Sequence, residues 1–388
     1  MGTSAHSAQL PAPPPAALAS SEKLSRLIAE EIGRGGGWVS FARYMELALY
    51  APGLGYYMAG ARKLGRDGDF VTAPEISRLF GRTLARQVKQ LAGLGLREIL
   101  EIGAGSGALA ADLLLELERQ GCAPERYLIL ELSPDLRDRS RDTLAERAPH
   151  LIERVVWLNR LPPSFTGTVI GNEVLDAMPV HVFLREDTEI AELGVTLKDG
   201  KFEWAGRPPA PGSGPMDPSC FPGSDYRTEI QFVARAFIRS LGGVLARGAA
   251  LFFDYGFPRH EYYHPQRARG TLMCHYRHRA HDDPFFLPGL QDITSHIDFS
   301  AIAQAGQDAG LELLGYTNQA QFLVNCGITD ILAGTPADDV TAYAPLASQA
   351  QRLLSPAEMG ELFKVIALGK SVKQPLLGFA QGDRGHTL

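Results

Sequence analysis

The chain has 388 residues, of which 45% are apolar and 21% charged, and its formal net charge is −6. These proportions exclude a mostly disordered protein, and the acidic balance excludes a global nucleic-acid footprint. Apolar runs such as 248–253 fall far short of the roughly 20 residues that a membrane helix needs.

Residues 1–21 hold no Lys or Arg and a proline cluster at 11–15. They have neither the basic start of a secretory signal nor the arginines of a transit peptide, and they read as a flexible tail. Cys122, Cys220, Cys274 and Cys326 lie far apart with no CxxC pair. That spacing argues against a disulfide framework or zinc knuckle, so a cytoplasmic protein is expected.

Helical spacing of Leu24, Leu27, Ile28 and Ile32 predicts a helix over 21–34, and a second short one covers 41–49. A long stretch rich in glycine and tyrosine follows, then a helix over 76–94. From residue 98 the pattern becomes strand, turn, helix. The segments "EILEIG", "YLILEL", "RVVWL", "GTVIGNE", "GAALFFDYG" and "LELLGYTN" predict six strands, and "KVIALGK" a seventh that closes the sheet. Helices are expected over 106–120, 134–147, 226–241 and 298–309, with 319–354 mostly helical. "VFLRE", "IAELGVTL" and "KFEWA" read as an antiparallel excursion, and 257–291 as a polar, aromatic loop. Alternating β and α units imply an α/β fold with a largely parallel sheet.

The strongest local signal is Gly103-Ala104-Gly105-Ser106-Gly107, between the first strand and its helix. Glycines there permit a tight turn and let a ligand touch bare backbone. The segment also satisfies GxGxxA, so a dinucleotide-dependent oxidoreductase has to be weighed. Glu101 separates the two readings. A carboxylate just before the loop repels a pyrophosphate but suits a ligand that carries an ammonium and a sulfonium, as S-adenosylmethionine does. Glu131, with Leu132 beside it, ends the second strand, where a carboxylate can accept both ribose hydroxyls. "GNEVLDAMPV" follows the fourth strand and sets Asn172, Glu173 and Asp176 on the sheet edge where ligands lie. They are the candidate catalytic residues; helix capping is the structural alternative. Cys274, His275, His278 and His281 match no common zinc spacing, so no metal is expected.

The segments "GRDGDFVTAPEISRLFG", "EIGAGSGALAADLL", "LELSPDLR", "GNEVLDAMPVHVF", "PGLQDITSHIDF" and "MGELFKVIALGK" resemble the MidA-type S-adenosylmethionine-dependent methyltransferases, a family that includes the mitochondrial complex I assembly arginine methyltransferase. The matching pieces run from about 65 to 370, and the absence of a transit-like segment favours a bacterial member. The resemblance implies a seven-stranded, Rossmann-like class I sheet in a domain spanning 96–375. It also implies insertions near 181–225, 257–297 and 319–354, a helical and loop region over 22–95 that covers the cofactor, and a flexible tail over 376–388. It places Asp69, Thr72 and Glu75 in a loop over the methyl donor. It further implies a protein substrate that presents an arginine, such as a respiratory-complex subunit, and leaves room for a homodimer. A small-molecule methyltransferase and a cofactor-binding assembly factor without transfer activity remain as rival readings.

Overall fold

Buried apolar runs build the central sheet. Its strands are β1 (Glu98–Ile102), β2 (Arg126–Leu130), β3 (Val155–Leu158), β4 (Phe165–Asn172), β5 (Leu245–Phe257), β6 (Glu312–Asn318) and β7 (Phe363–Lys370). In the computed structural model, which describes residues 10–59, 72–210 and 220–388, they lie in the order β6-β7-β5-β4-β1-β2-β3. β1 pairs in parallel with β2 and β4, β2 with β3, and β4 with β5. β7 runs antiparallel to both β5 and β6. The order reverses between β1 and β4, which opens a crevice at their carboxyl ends.

Both faces of the sheet are covered, and so the strands lack the polar alternation of a half-exposed sheet. One core includes Leu84 and Leu91 of the helix Arg78–Gly93 and Leu113 and Leu117 of Ala108–Arg119. The other takes Ile238 and Leu241 of Phe232–Val244 and Phe299 and Ile302 of Phe299–Asp308. Full burial of one such side chain stabilises the fold by roughly 1.5–3 kcal/mol.

The described residues fall into two compact units. The sheet unit consists of Thr72–Met178, Gln231–Arg267 and His296–Leu388; the second unit takes the residues before Thr72 together with Pro179–Ile230 and Ala268–Ser295. Within the second unit, the antiparallel strands Tyr226–Ile230, His181–Glu186, Glu189–Lys198 and Val39–Ser40 lie side by side, and Lys201–Arg207 pairs with Glu189–Lys198. Its core joins Leu24, Ile28, Phe41 and Tyr44 with Val182, Val195 and Ile293.

Several expectations need correction. The helix expected over 226–241 is a strand, Tyr226–Ile230, followed by the helix Phe232–Val244. "YRTEI" is extended because it pairs antiparallel with His181–Glu186, and Tyr226, Thr228, Glu229 and Ile230 are all buried there. The expected loop over 257–291 holds the helix Arg259–Tyr262 and the paired strands Met273–Tyr276 and Arg279–His281. Their turn puts Arg277 and His278 at φ 48° and 60°, without the glycine or asparagine that normally marks such a hairpin. The expected N-terminal tail already becomes helical at Pro15, where a proline in the first turn has no N–H to lose. The expected C-terminal tail is packed: Phe379 lies edge-on to Phe322, and Asp383 accepts the backbone N–H of Tyr316 at 3.0 Å. The expected border near residue 95 is displaced too, since Arg78–Gly93 belongs to the sheet unit. Among the described residues, no helix is long and apolar enough to cross a membrane.

Candidate active site

The crevice at the carboxyl edge is framed by the loop after β1. Gly103, Gly105 and Gly107 have φ of 67°, 55° and 81°, a region open to glycine and strained for other residues. Close approach adds a second requirement. A Cβ on Gly107 would lie 2.8 Å from Cα of Ser140, and one on Gly103 would lie 3.1 Å from the side chain of Val174.

Glu131, just past β2, ties down this loop. One carboxylate oxygen accepts the backbone N–H of Gly105 at 3.1 Å, and the other accepts that of Ser133 at 2.9 Å. Ser106 donates its hydroxyl to Glu75. Glu75 belongs to the short helix Ala73–Ile76, with Thr72 at its N-cap position. The structure thus joins Glu75, Ser106, Gly105 and Glu131 into one polar frame. Leu132 is 65% exposed beside Glu131 and leaves an apolar surface next to the carboxylate. Asp69 lies outside the described residues.

Glu101 sits deeper than its expected role suggests. It is 2% exposed, and its carboxylate accepts the hydroxyl of Tyr127 at 2.7 Å. Burial pushes its pKa up to about 7; the Tyr127 bond opposes this, and the negative charge of Glu131 adds to it.

Asn172, Glu173 and Asp176 gather at the end of β4, and a fourth residue, Asp254 of β5, organises them. Glu173 has φ 53°, and its backbone N–H donates to the carbonyl of Phe253 at 2.8 Å. A glutamate in that region is locally costly, a form of strain that clusters at functional sites. Asn172 donates its amide to Glu173 at 3.1 Å. Asp254 is fully buried, and its Oδ2 accepts the backbone N–H groups of Leu175 at 2.9 Å and Asp176 at 3.2 Å. Its Oδ1 accepts the N–H of Tyr255 at 2.9 Å. Burial, then the charges of Asp176 and Glu173, hold the Asp254 carboxyl well above the usual range. Burial also pushes Asp176 up to about 6, against the hydrogen bond from the Tyr255 side chain. The Tyr255 ring meets His296 edge-on at 5.2 Å, and burial, with Arg267 and Lys364 nearby, takes that imidazole down to about 4. Val174, between Glu173 and Leu175, is the side chain that faces Gly103, so the carboxylate cluster and the glycine loop are neighbours.

Sequence reasoning missed Asp254 and Tyr255. The available signal was "FFDYG", where an acid interrupts the end of a fully apolar strand next to β4.

Chemically, bare backbone, a carboxylate at the end of β2 and an exposed apolar side chain form a donor set that fits an adenosyl group. A family of S-adenosyl-L-methionine-dependent methyltransferases matches residues 79–317. The chain belongs to this family. The methyltransferase is 53% identical to a protein from Burkholderia thailandensis crystallised with S-adenosyl-homocysteine, at a TM-score of 0.95 over 98% of this chain and 100% of that one. It is 31% identical to the mouse mitochondrial protein arginine methyltransferase NDUFAF7, over 86% of this chain and 81% of the relative. The zebrafish protein of the same name is 26% identical over 89% of each chain. The methyltransferase therefore uses S-adenosylmethionine on a class I fold, as its motifs implied.

Proposed function

We propose that the enzyme methylates an arginine of a partner protein. The observation that carries this reading is the convergence of Glu173, Asp176 and Asp254 beside the glycine loop. The arginine methyltransferase names of its mouse and zebrafish relatives support it.

Bound S-adenosylmethionine supplies an electrophilic methyl group on a sulfonium. Glu131 would hold the ribose hydroxyls, Leu132 the adenine, and the bare backbone at Gly103 and Gly105 the amino-acid portion. Ala104, Ser106 and Gly107 complete the loop, and Thr72 and Glu75 close it from the side. The buried Glu101 would balance the ligand's ammonium.

The acceptor side faces a different problem. A guanidinium is almost always protonated and hence a poor nucleophile. Glu173 pairs with one of its nitrogens and keeps the positive charge away from the attacking one, and a charge-assisted bond also fixes its orientation. Asn172 steers Glu173 through its amide. Methylation leaves an extra proton on the attacking nitrogen. Asp176, raised to about 6, is matched to accept it near neutral pH.

The test is incubation of the enzyme with methyl-labelled S-adenosylmethionine and a lysate of the source cells. Label is expected in protein, and mass spectrometry of the digest should place it on arginine. Label confined to small molecules, or to a residue other than arginine, overturns the reading.

A further inference from the structure

Asp176 has the chemistry of a proton acceptor but not the exposure of one. It is 4% exposed, and its Oδ1 is buried without a hydrogen-bond partner among the described residues. A carboxylate so poorly solvated is a stronger base than one in water. Its burial also leaves almost no surface for a substrate nitrogen to touch.

Tyr255 bridges that gap. Its hydroxyl donates a hydrogen bond to the Asp176 carboxylate. It follows Asp254 near the end of β5, on the carboxyl edge of the sheet, and is itself only half-buried. Two edge-on neighbours fix its ring, His296 at 5.2 Å and Phe363 of β7 at 5.5 Å between ring centres. An imidazole is the commonest base in active sites, but His296 does not serve as one. Burial, with Arg267 and Lys364 nearby, takes it down to about 4, so it holds no proton near neutral pH. The other acids of the cluster are Glu173 and Asp254. Asp254 is fully buried, and three backbone N–H groups occupy its carboxylate.

We propose that the Tyr255 hydroxyl is a catalytic proton relay from the attacking nitrogen to Asp176. This inference rests on the arginine reading and adds to it the route that the proton takes. As the N–C bond forms and the donor's S–C bond breaks, the nitrogen gives its proton to the Tyr255 oxygen while the Tyr255 O–H proton passes to Asp176. The phenol ends unchanged and Asp176 ends as a neutral acid, which re-ionises to solvent once the product leaves.

Single-turnover transfer from methyl-labelled S-adenosylmethionine to arginine in the lysate protein tests the relay, with the parent, Tyr255→Phe, Asp176→Asn and the double variant. Tyr255→Phe keeps both ring contacts and loses only the hydroxyl. Unchanged calorimetric affinity for S-adenosylhomocysteine and an unchanged far-UV spectrum establish that each variant is folded. Each single variant should lose at least about tenfold, and the double variant should be no slower than the slower single one, as for two members of one relay. The pH dependence separates a relay from an indirect effect. The Tyr255 bond favours ionised Asp176, so its removal raises that carboxyl above its value of about 6. If this were the hydroxyl's whole role, a pH of about 9 would ionise Asp176 again and restore the rate. With the relay gone, the loss persists there. Should Asp176→Asn unfold, the Tyr255→Phe comparison at that pH decides alone. Recovery at high pH, a Tyr255→Phe rate equal to the parent's, or losses that multiply in the double variant overturns the relay. Failure of the arginine reading shows instead in the parent, as label on another residue or on small molecules.

Discussion

Asp254 accepts the backbone N–H of Leu175 at 2.9 Å, so that a side chain of β5 holds the turn leaving β4. The same oxygen takes the N–H of Asp176, and the turn also carries the strained Glu173. Asp254→Ala should leave these N–H groups without their acceptor at a buried site. The expected loss is on the order of 2–4 kcal/mol, read as a lower midpoint in urea unfolding. Asp254→Asn retains acceptor oxygen and should lose less. Equal stability of the alanine variant and the parent would show that the turn holds itself.

Glu173→Gln tests the acceptor side. It preserves shape and removes charge. Affinity for S-adenosylhomocysteine should persist, while single-turnover transfer to an arginine-bearing substrate should fall at least about tenfold, or roughly 1.4 kcal/mol in the barrier. Near-normal transfer would move the pairing role to Asp176.

Glu101 makes stability depend on pH in a direction opposite to that of most carboxylates. Its folded-state pKa of about 7 lies above its ordinary 4.5. Between these values the folded protein keeps a proton that the unfolded chain has released, so stability falls as pH rises through that window. The full effect is on the order of 3 kcal/mol. Glu101→Gln can still accept the Tyr127 hydroxyl and should match the parent near pH 4.5, yet melt higher at pH 8. Parallel melting curves for the two proteins across this range would contradict the assignment. Saturating S-adenosylhomocysteine, whose ammonium compensates the carboxylate, should flatten the parent's slope.

Gly105→Val forces a β-branched residue to φ 55°. The backbone cost is roughly 1–2 kcal/mol, and it falls on the residue whose N–H donates to Glu131 at 3.1 Å. Calorimetric binding of S-adenosylhomocysteine should vanish while the far-UV spectrum stays native. Undiminished affinity would place the ligand elsewhere.

The central sheet was readable because its strands are short apolar runs set off by glycine turns, and each reappears in the structure. The glycine loop and the acids at the ends of β1, β2 and β4 were readable for the same reason. Asp254 was not, since its importance comes from β5 lying beside β4, a pairing between segments distant in sequence. Tyr226–Ile230 reads as helix in sequence because it runs straight into one; its strand character depends on pairing with His181–Glu186. The Arg277–His278 turn gives little sequence signal, since it lacks the glycine or asparagine that normally marks such a hairpin.

The chain leaves the sheet unit after Met178 and again after Arg267, and its second unit is completed only by Ala268–Ser295. Synthesis therefore imposes a waiting time. The helix Phe41–Tyr50 is made early, but its core partner Ile293 emerges about 240 residues later, on the order of 10–50 s at ordinary translation rates. Until then its apolar face has no finished core to enter, and the nascent protein depends on whatever shields that face. A single cut in the gene cannot separate the two units. Shortened versions that stop before residue 268 should be recovered as insoluble material or in complex with chaperones rather than as a half-sized folded protein.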